Sequence, residues 1–316
     1  MRSLLNTGLI SWSLLLSLSL AFAPHKQQDQ IFVEKKARYI PAGPGQKPFD
    51  VTRHIIRLDD IQSGGPPKNG IPALDHPAFM STSEADRSLK AEDMILGVKF
   101  SGVAKAYPVR ILNWHEVVND DVGEQPVVIS WCPLCGSGLA YNPVAEGHSY
   151  TFGVSGLLHQ QNLLFFDHET ESLWSQLRGQ AVAGPVAGTS LRLLPVTMTT
   201  WRSWKAHHPQ TLVLSFQTGY KRDYARDPYR DWLLDRRMAL VISSNGQTKI
   251  YPYSELKKAG PSLQDEIGGL SFTICFDANQ QSATVQALGY DVPSHFVAFL
   301  GNVRAFSPGA PIFKVR

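Results

Sequence analysis

The sequence predicts an α+β protein of many short strands, built around a pseudo-symmetric, duplicated hairpin-helix-strand unit with a β-rich insertion between the copies. Two observations support this fold class. The 316 residues include 21 prolines and 25 glycines, which interrupt long helices and favour short strands joined by turns. Two distant segments of the chain also resemble each other, which is typical of a duplicated supersecondary unit.

The N-terminal 50 residues are predicted to precede the folded part. An apolar run ending near Ala23 follows Met1-Arg2, which is typical of a signal peptide or an N-terminal anchor over residues 1–23. Residues 24–50 are rich in Pro and Gly and are expected to be a linker, followed by a single compact domain over residues 51–316. We therefore expect a periplasmic or secreted protein, with membrane contact only through an uncleaved anchor.

The repeat places one copy at residues 94–143 and the other at residues 238–286, with the insertion over residues 144–237. MILGVKFSGVAKAYPVRIL (94–112) aligns without a gap with MALVISSNGQTKIYPYSEL (238–256), and seven of these nineteen positions are identical. Each copy has a turn signal, Ser101-Gly102 or Asn245-Gly246, between two apolar runs, which predicts a β-hairpin. A helix is expected next, over RILNWHEVVND in the first copy, and then another strand.

Two further segments are predicted from local signals. In the insertion, TTWRSWKAHHP is expected to form a short helix that begins at Thr200 and ends before Pro209. The polar, aromatic stretch over residues 219–232 has no periodicity, and we expect a surface loop that covers a cleft. The net charge of +3 is scattered, which argues against nucleic-acid binding.

The main chemical signal is the Cys-x-x-Cys of Cys132 and Cys135, in the stretch SWCPLCGSG. A Cys-Pro-Leu-Cys-Gly turn is similar to a zinc-ribbon knuckle, whose second Cys-x-x-Cys this chain lacks. The same spacing after an apolar strand is found in thiol-disulfide redox proteins, although GSGLAYNP is a poor start for the helix that would follow. A structural disulfide is the third interpretation.

A metal at this position would need further ligands. If the two copies pack about a pseudo-two-fold axis, Cys275 and Asp277 of the second copy would approach the Cys-x-x-Cys turn. Three histidines are further candidates: His115, His159 and His168. Mixed thiolate and imidazole ligands suit copper first, and zinc or iron second.

Several motifs together resemble a known family. AYP, the VVND segment, CPLCG, FGxSG and D-x-x-T-x-S-x-W-x-Q are similar to motifs of the prokaryotic domain-of-unknown-function family 3179 (DUF3179). The resemblance covers most of the chain after about residue 48. It implies an exported protein of unassigned biochemistry, and therefore supplies neither a reaction nor a cofactor.

Three functions follow as hypotheses. The first is an exported protein with a thiolate-containing metal centre, for redox chemistry or metal handling in the cell envelope. The second is a thiol-disulfide redox protein that uses Cys132 and Cys135 as its couple. The third is a non-catalytic scaffold stapled by a disulfide. The sequence identifies no substrate and no metal donor, and it does not decide whether the protein is an enzyme.

Overall fold

The computed structural model describes residues 30–229, 237–289 and 291–315. The predicted signal or anchor segment, residues 1–23, lies outside the described residues. Before the insertion the elements are β1 (Phe32–Val33), β2 (Tyr39–Ile40), β3 (Phe49–Asp50), β4 (Arg53–His54), β5 (Ile61–Ser63), β6 (Leu74–Asp75), β7 (Phe79–Met80), α1 (Thr82–Ala85), β8 (Met94–Phe100), β9 (Val103–Pro108), α2 (Val109–His115), β10 (Val117–Val122), β11 (Gln125–Cys132) and β12 (Ser137–Asn142).

The insertion and the C-terminal part contribute the remaining elements. In the insertion these are β13 (Val144–Ala145), β14 (His148–Ser149), β15 (Phe152–His159), β16 (Asn162–Asp167), β17 (Leu173–Ser175), β18 (Gln180–Ala183), β19 (Arg192–Leu194), β20 (Thr197–Thr200), α3 (Trp201–His207) and β21 (Leu212–Leu214). The C-terminal part has β22 (Met238–Ser244), β23 (Gln247–Pro252), α4 (Tyr253–Ala259), β24 (Ser262–Ile267), β25 (Leu270–Asp277), β26 (Ser282–Ala287), β27 (Ser294–Phe299) and α5 (Leu300–Phe306).

The fold class predicted from the sequence is wrong, because the protein is mostly β rather than a balanced α+β fold. No α-helix in the described ranges is longer than seven residues. The segment RILNWHEVVND shows the reason: its helix ends at His115, and the β-branched Val117 and Val118 open a strand instead. Glu116, between helix and strand, has a φ of 58°, a left-handed conformation that stops an α-helix.

The strands form three larger sheets, a three-stranded sheet and two two-stranded sheets, β2-β3 and β13-β14. An eight-stranded sheet has the order β23-β22-β27-β12-β11-β10-β6, with β19 also paired to β12. A seven-stranded sheet, β1-β4-β18-β17-β16-β15-β5, shares a hydrophobic core with it, and Asn119 on β10 donates to the Phe152 carbonyl on β15. The five-stranded sheet is β20-β8-β9-β21-β7, and β24-β25-β26 forms a separate three-stranded sheet.

The two repeat segments contain the same succession of elements: a hairpin, a seven-residue helix and a three-stranded meander. Their shared Lys-x-Tyr-Pro sequence forms the same contact twice. In the first copy the Lys105 ammonium and the Tyr107 hydroxyl bind the Asp120 carboxylate at 2.8 and 2.7 Å. In the second copy the Asp265 carboxylate accepts the equivalent bonds from the Lys249 ammonium at 2.5 Å and the Tyr251 hydroxyl at 2.9 Å. The identical residues therefore hold each hairpin against its meander.

The repeats differ in how their meanders are placed. The first meander, β10 to β12, lies in the eight-stranded sheet, where β27 connects it to the second hairpin, β22 and β23. The second meander, β24 to β26, pairs only within its own sheet among the described residues. The equivalent strands β11 and β25 therefore belong to different sheets.

The N-terminal part of the described chain is more ordered than the predicted linker. Residues 30–50 contain β1, β2 and β3, and Phe49 is buried and packs edge-on against Phe166. This segment therefore contributes to the second hydrophobic cluster, on the seven-stranded sheet. No helix in residues 30–229, 237–289 and 291–315 is long and apolar enough to cross a membrane.

Candidate functional site

The Cys-x-x-Cys pair lies where β11 ends in a single 3-10 turn and the chain enters β12. Gly136 closes this turn with a φ of 55°, and any side chain there would collide with the Phe299 ring. Cys132 is 1% exposed and Cys135 is fully buried, and their thiols are close enough to hydrogen-bond to each other. Neither is in a disulfide. The turn therefore holds two thiols side by side in the protein interior.

The sulfur of Cys135 is surrounded by hydrogen-bonding groups. Its thiol donates to the Gln161 carbonyl at 3.2 Å, and the side-chain amides of Asn162 and Asn302 donate to the sulfur at 3.4 and 3.1 Å. Asn162 is held in place by a hydrogen bond to the side-chain oxygen of Gln176 at 2.7 Å. Amide N–H groups directed at a sulfur stabilise negative charge as it develops there.

Glu116 is the buried acid of the site. Antiparallel pairing sets Val117 opposite Ser130, and the Glu116 carbonyl accepts a hydrogen bond from the Trp131 N–H at 2.7 Å, one residue before Cys132. The register of β10 and β11 thus fixes this carboxyl group next to the cysteine turn. Burial raises the pKa of Glu116 to about 7, and a hydrogen bond from a tyrosine hydroxyl offsets part of that rise.

A cavity of about 250 Å³ is lined by both Cys132 and Glu116. Burial raises the pKa of the Cys132 thiol well above its ordinary value, and the adjacent Cys135 thiol and Glu116 carboxylate raise it further. Cys132 is therefore a neutral thiol near neutral pH, and it needs a base to become a nucleophile. The Glu116 carboxylate lines the same cavity and is placed to act as this base. The apolar walls include Pro66, Ile71, Leu134, Val154, Leu157 and Leu163.

The loop over residues 219–229 packs against α2 and closes one side of this cavity, in line with the expected loop over a cleft; residues 230–232 of that prediction lie outside the described residues. Pro228 and Tyr229 line the cavity. Three side chains of α2 donate hydrogen bonds to the loop: Arg110 to the Tyr224 carbonyl, Asn113 to the Asp227 carboxylate and Trp114 to the Arg226 carbonyl. In the other direction, the Tyr229 hydroxyl of the loop donates to the Glu116 carboxylate at 2.8 Å, which connects the loop directly to the buried acid.

The three candidate histidines do not join the cysteine pair in a ligand cluster. His115 is buried, and its two ring nitrogens hydrogen-bond to the Pro72 carbonyl and the Tyr224 hydroxyl. Burial lowers the pKa of both His115 and His159. His159 is buried with no hydrogen-bond partner at Nδ1, and its ring contacts Phe306. His168 is exposed and lies edge-on to a phenylalanine ring.

The expected convergence of Cys275 and Asp277 on the turn is not observed. Cys275 lies on β25 in the three-stranded sheet, paired with Ser262 and Thr284, whereas Cys132 ends β11 in the eight-stranded sheet. Asp277 is exposed, and its carboxylate accepts the backbone N–H groups of the turn that follows β25. The sequence-based alignment of β11 with β25 is compatible with the structure, but equivalent strands of the two repeats end in different sheets.

The donor set does not fit the predicted composite metal centre. No group of three or more His, Cys, Asp or Glu side chains that could hold a metal ion occurs in the described part of the chain. The cysteine turn supplies two thiols, fewer than the three or four protein ligands of ordinary thiolate sites. The composite centre is therefore not supported, and binding of copper, zinc or iron at the cysteine turn stays a prediction from the sequence.

Sequence reasoning missed several groups at the site. Glu116 lies in the segment RILNWHEVVND, for which the sequence predicts a helix, but the helix stops before it and the residue is buried. Asn162 and Asn302 lie far apart in the chain, and no local pattern connects either amide with a cysteine. The Tyr229 hydroxyl belongs to a loop whose only signal was its aromatic composition.

The comparisons with known proteins identify one relationship. A family model described as "Protein of unknown function (DUF3179)" matches residues 68–291, which is more than half of the chain. The matched range includes the cysteine turn, Glu116 and the 219–229 loop, and it ends before Asn302. Neither a curated protein nor a solved structure matches the chain.

Proposed function

Because the chain belongs to the DUF3179 family of proteins of unknown function, which brings no reaction with it, we propose a function from the site alone: thiol-disulfide redox chemistry with Cys132 and Cys135 as the couple. One observation carries this proposal. Cys132 touches a second thiol and opens on the same cavity as Glu116, a carboxyl group whose pKa is raised by burial to about 7.

The chemistry follows in two steps. The Glu116 carboxylate accepts the proton of the Cys132 thiol, and the resulting thiolate attacks a substrate disulfide. A Cys132–substrate mixed disulfide forms, and the first substrate sulfur leaves as a thiolate that takes the proton back from Glu116. The Cys135 sulfur then attacks the Cys132 sulfur, and its thiol proton passes to the second substrate thiolate as that group leaves. Two electrons pass to the substrate, and a Cys132–Cys135 disulfide remains; a dithiol reverses the reaction.

The hydrogen-bonding groups around Cys135 support its role as the second sulfur. Asn162 and Asn302 donate to this sulfur, so negative charge that develops there during the second step is stabilised. Cys135 does not line the cavity, whereas Cys132 does. The order of attack, first Cys132 and then Cys135, follows from this difference in access.

We place this chemistry in the cell envelope, on the strength of the signal or anchor predicted over residues 1–23. Disulfide exchange belongs to oxidising compartments such as the periplasm. The metal centre and the structural staple remain competing hypotheses. All three hypotheses depend on the same two thiols, Cys132 and Cys135, so the products of one reaction with a small disulfide distinguish the hypotheses.

The test is the number of thiols released from a small disulfide by the reduced protein. The reduced Cys275→Ser chain, which lacks the third, partly exposed thiol, should release two thiol equivalents and end with a Cys132–Cys135 bridge found by mass spectrometry. Cys135→Ser in the same Cys275→Ser background should release one and keep the other half of the substrate on Cys132. The wild-type chain is the matched control, and it should form the same Cys132–Cys135 bridge. Failure of the wild-type chain to form the bridge would overturn the redox function.

A further inference from the structure

Access to the two sulfurs limits the size of the substrate. Cys132 is 1% exposed and lines the cavity, and Cys135 is fully buried and does not line it. A disulfide on the surface of a folded protein has little access to a sulfur with so small an exposed area. The cavity, at about 250 Å³, lies below the range of roughly 300–1,000 Å³ that holds drug-sized ligands. A molecule of low molecular weight fits it.

The lining of the cavity limits the charge of the substrate. Most of its walls are aliphatic side chains or prolines, and its polar side chains lie near one another: the Tyr229 hydroxyl donates to the Glu116 carboxylate, and both groups interact electrostatically with the Cys132 thiol. None of the described lining residues is a Lys, Arg or His. A carboxylated disulfide would therefore meet the Glu116 carboxylate at close range, and no cationic side chain among the described lining residues offsets the repulsion.

We propose that the substrate of the Cys132–Cys135 couple is a neutral disulfide of low molecular weight with apolar substituents; this proposal rests on the redox function above. The substituents occupy the aliphatic part of the cavity, and the disulfide lies at the polar end against Cys132. Each turnover forms one protein disulfide, breaks the substrate disulfide and releases two neutral thiols, so the electrons balance without a further reactant.

The experiment compares two small aromatic disulfides of opposite character. Dithiodipyridine is neutral and dithiobis(nitrobenzoate) is a dianion near about pH 8, where Glu116 is ionised. Each rate with the reduced Cys275→Ser protein is divided by the rate with a simple thiol, which removes the intrinsic reactivity of the reagent. We expect the corrected rate to favour the neutral disulfide by about tenfold or more, because of the charge repulsion in the cavity.

Glu116 provides the internal control. In Glu116→Gln the loss of the base slows both reagents, but the preference between them should fall toward one, because the repelling charge is absent. The same fall is expected in the Cys275→Ser protein when the pH is lowered to about 6, where Glu116 becomes protonated. The second measurement needs no substitution of Glu116 and therefore does not depend on how Glu116→Gln folds.

The outcomes separate this proposal from the function on which it rests. Equal corrected rates for both reagents, with two thiols released from each, would overturn the substrate class and leave the redox function standing. Rapid reduction of the disulfides of insulin would do the same. Release of no thiol from either reagent, with Cys132 and Cys135 unbridged, would overturn both.

Discussion

The strongest prediction from the structure concerns the stability of Glu116→Gln as a function of pH. The pKa of Glu116 rises from 4.5 to about 7 because the carboxyl group is buried. The folded protein therefore binds a proton more tightly than the unfolded chain does. Between about pH 4.5 and pH 7, the free energy of unfolding should fall as the pH rises, and above pH 7 the full cost of the buried charge is present.

The size of the effect follows from the two pKa values, whose difference corresponds to about 3 kcal/mol. Glutamine is isosteric and carries no charge at any pH, and it tolerates the left-handed backbone at this position no better and no worse than glutamate does. Relative to wild type, Glu116→Gln should therefore gain about 3 kcal/mol of stability at about pH 8 compared with about pH 4. Below the lower pKa the two proteins should differ only by the change in hydrogen bonding.

Denaturant unfolding at a series of pH values measures this double difference. Glu124→Gln is the matched control, because Glu124 is an exposed residue in the next turn and its substitution should leave the pH profile unchanged. Parallel profiles for wild type and Glu116→Gln would refute the reasoning. They would show that the carboxyl group at this position is solvated in the folded protein.

Three further predictions test other contacts of the site. Tyr229→Phe removes a hydrogen bond that lowers the pKa of Glu116, so this pKa should rise above about 7. Because Glu116 is the proposed base for Cys132, the pH midpoint of Cys132 alkylation should rise with it, and a midpoint that stays or falls would contradict the contact. Asn302→Ala removes one amide donor to the Cys135 sulfur, so release of the second substrate thiol should slow by about tenfold while release of the first is unchanged, as stopped-flow absorbance would record. Elemental analysis of purified protein compares the redox and metal hypotheses: the dithiol couple predicts a bridge formed on oxidation, and a metal centre predicts a stoichiometric ion that Cys132→Ser loses.

Local patterns in the sequence predicted the hairpins well. Ser101-Gly102 and Asn245-Gly246 adopt positive φ angles in two-residue turns, as this sequence signature requires. The short helix α3 was also predicted correctly: Thr200 is its N-cap, and the Thr200 hydroxyl accepts the Ser203 N–H. These features depend on residues that are adjacent in the chain, which a single sequence displays directly.

The balance of helix and strand was mispredicted for a physical reason. The polar and apolar residues of NWHEVVND fit a helical period, but the β-branched pair after Glu116 pairs with β11 and continues the chain as a strand. Tertiary pairing thus overrides a local pattern whose ambiguity is inherent in short apolar segments. In the second repeat, helix α4 ends at Ala259 and strand β24 follows Gly260-Pro261.

The candidate site was predicted only in part. The Cys132 and Cys135 pair was visible because its spacing is a local motif. Glu116 and Asn302 approach those thiols through strand register and through the packing of α5, which no single-sequence pattern encodes. The expected approach of Cys275 failed because strand pairing, which depends on the whole fold, put the second meander in its own sheet.

The most direct test of the proposed chemistry is a redox titration of the purified chain, with thiol trapping and mass spectrometry at each potential. Cys132 and Cys135 should convert together in one two-electron transition, in which a tenfold change in the equilibrium constant corresponds to roughly 30 mV, while Cys275 stays a free thiol throughout. Thiols that stay separate at every potential, or a bridge that includes Cys275, would contradict the assignment of the couple.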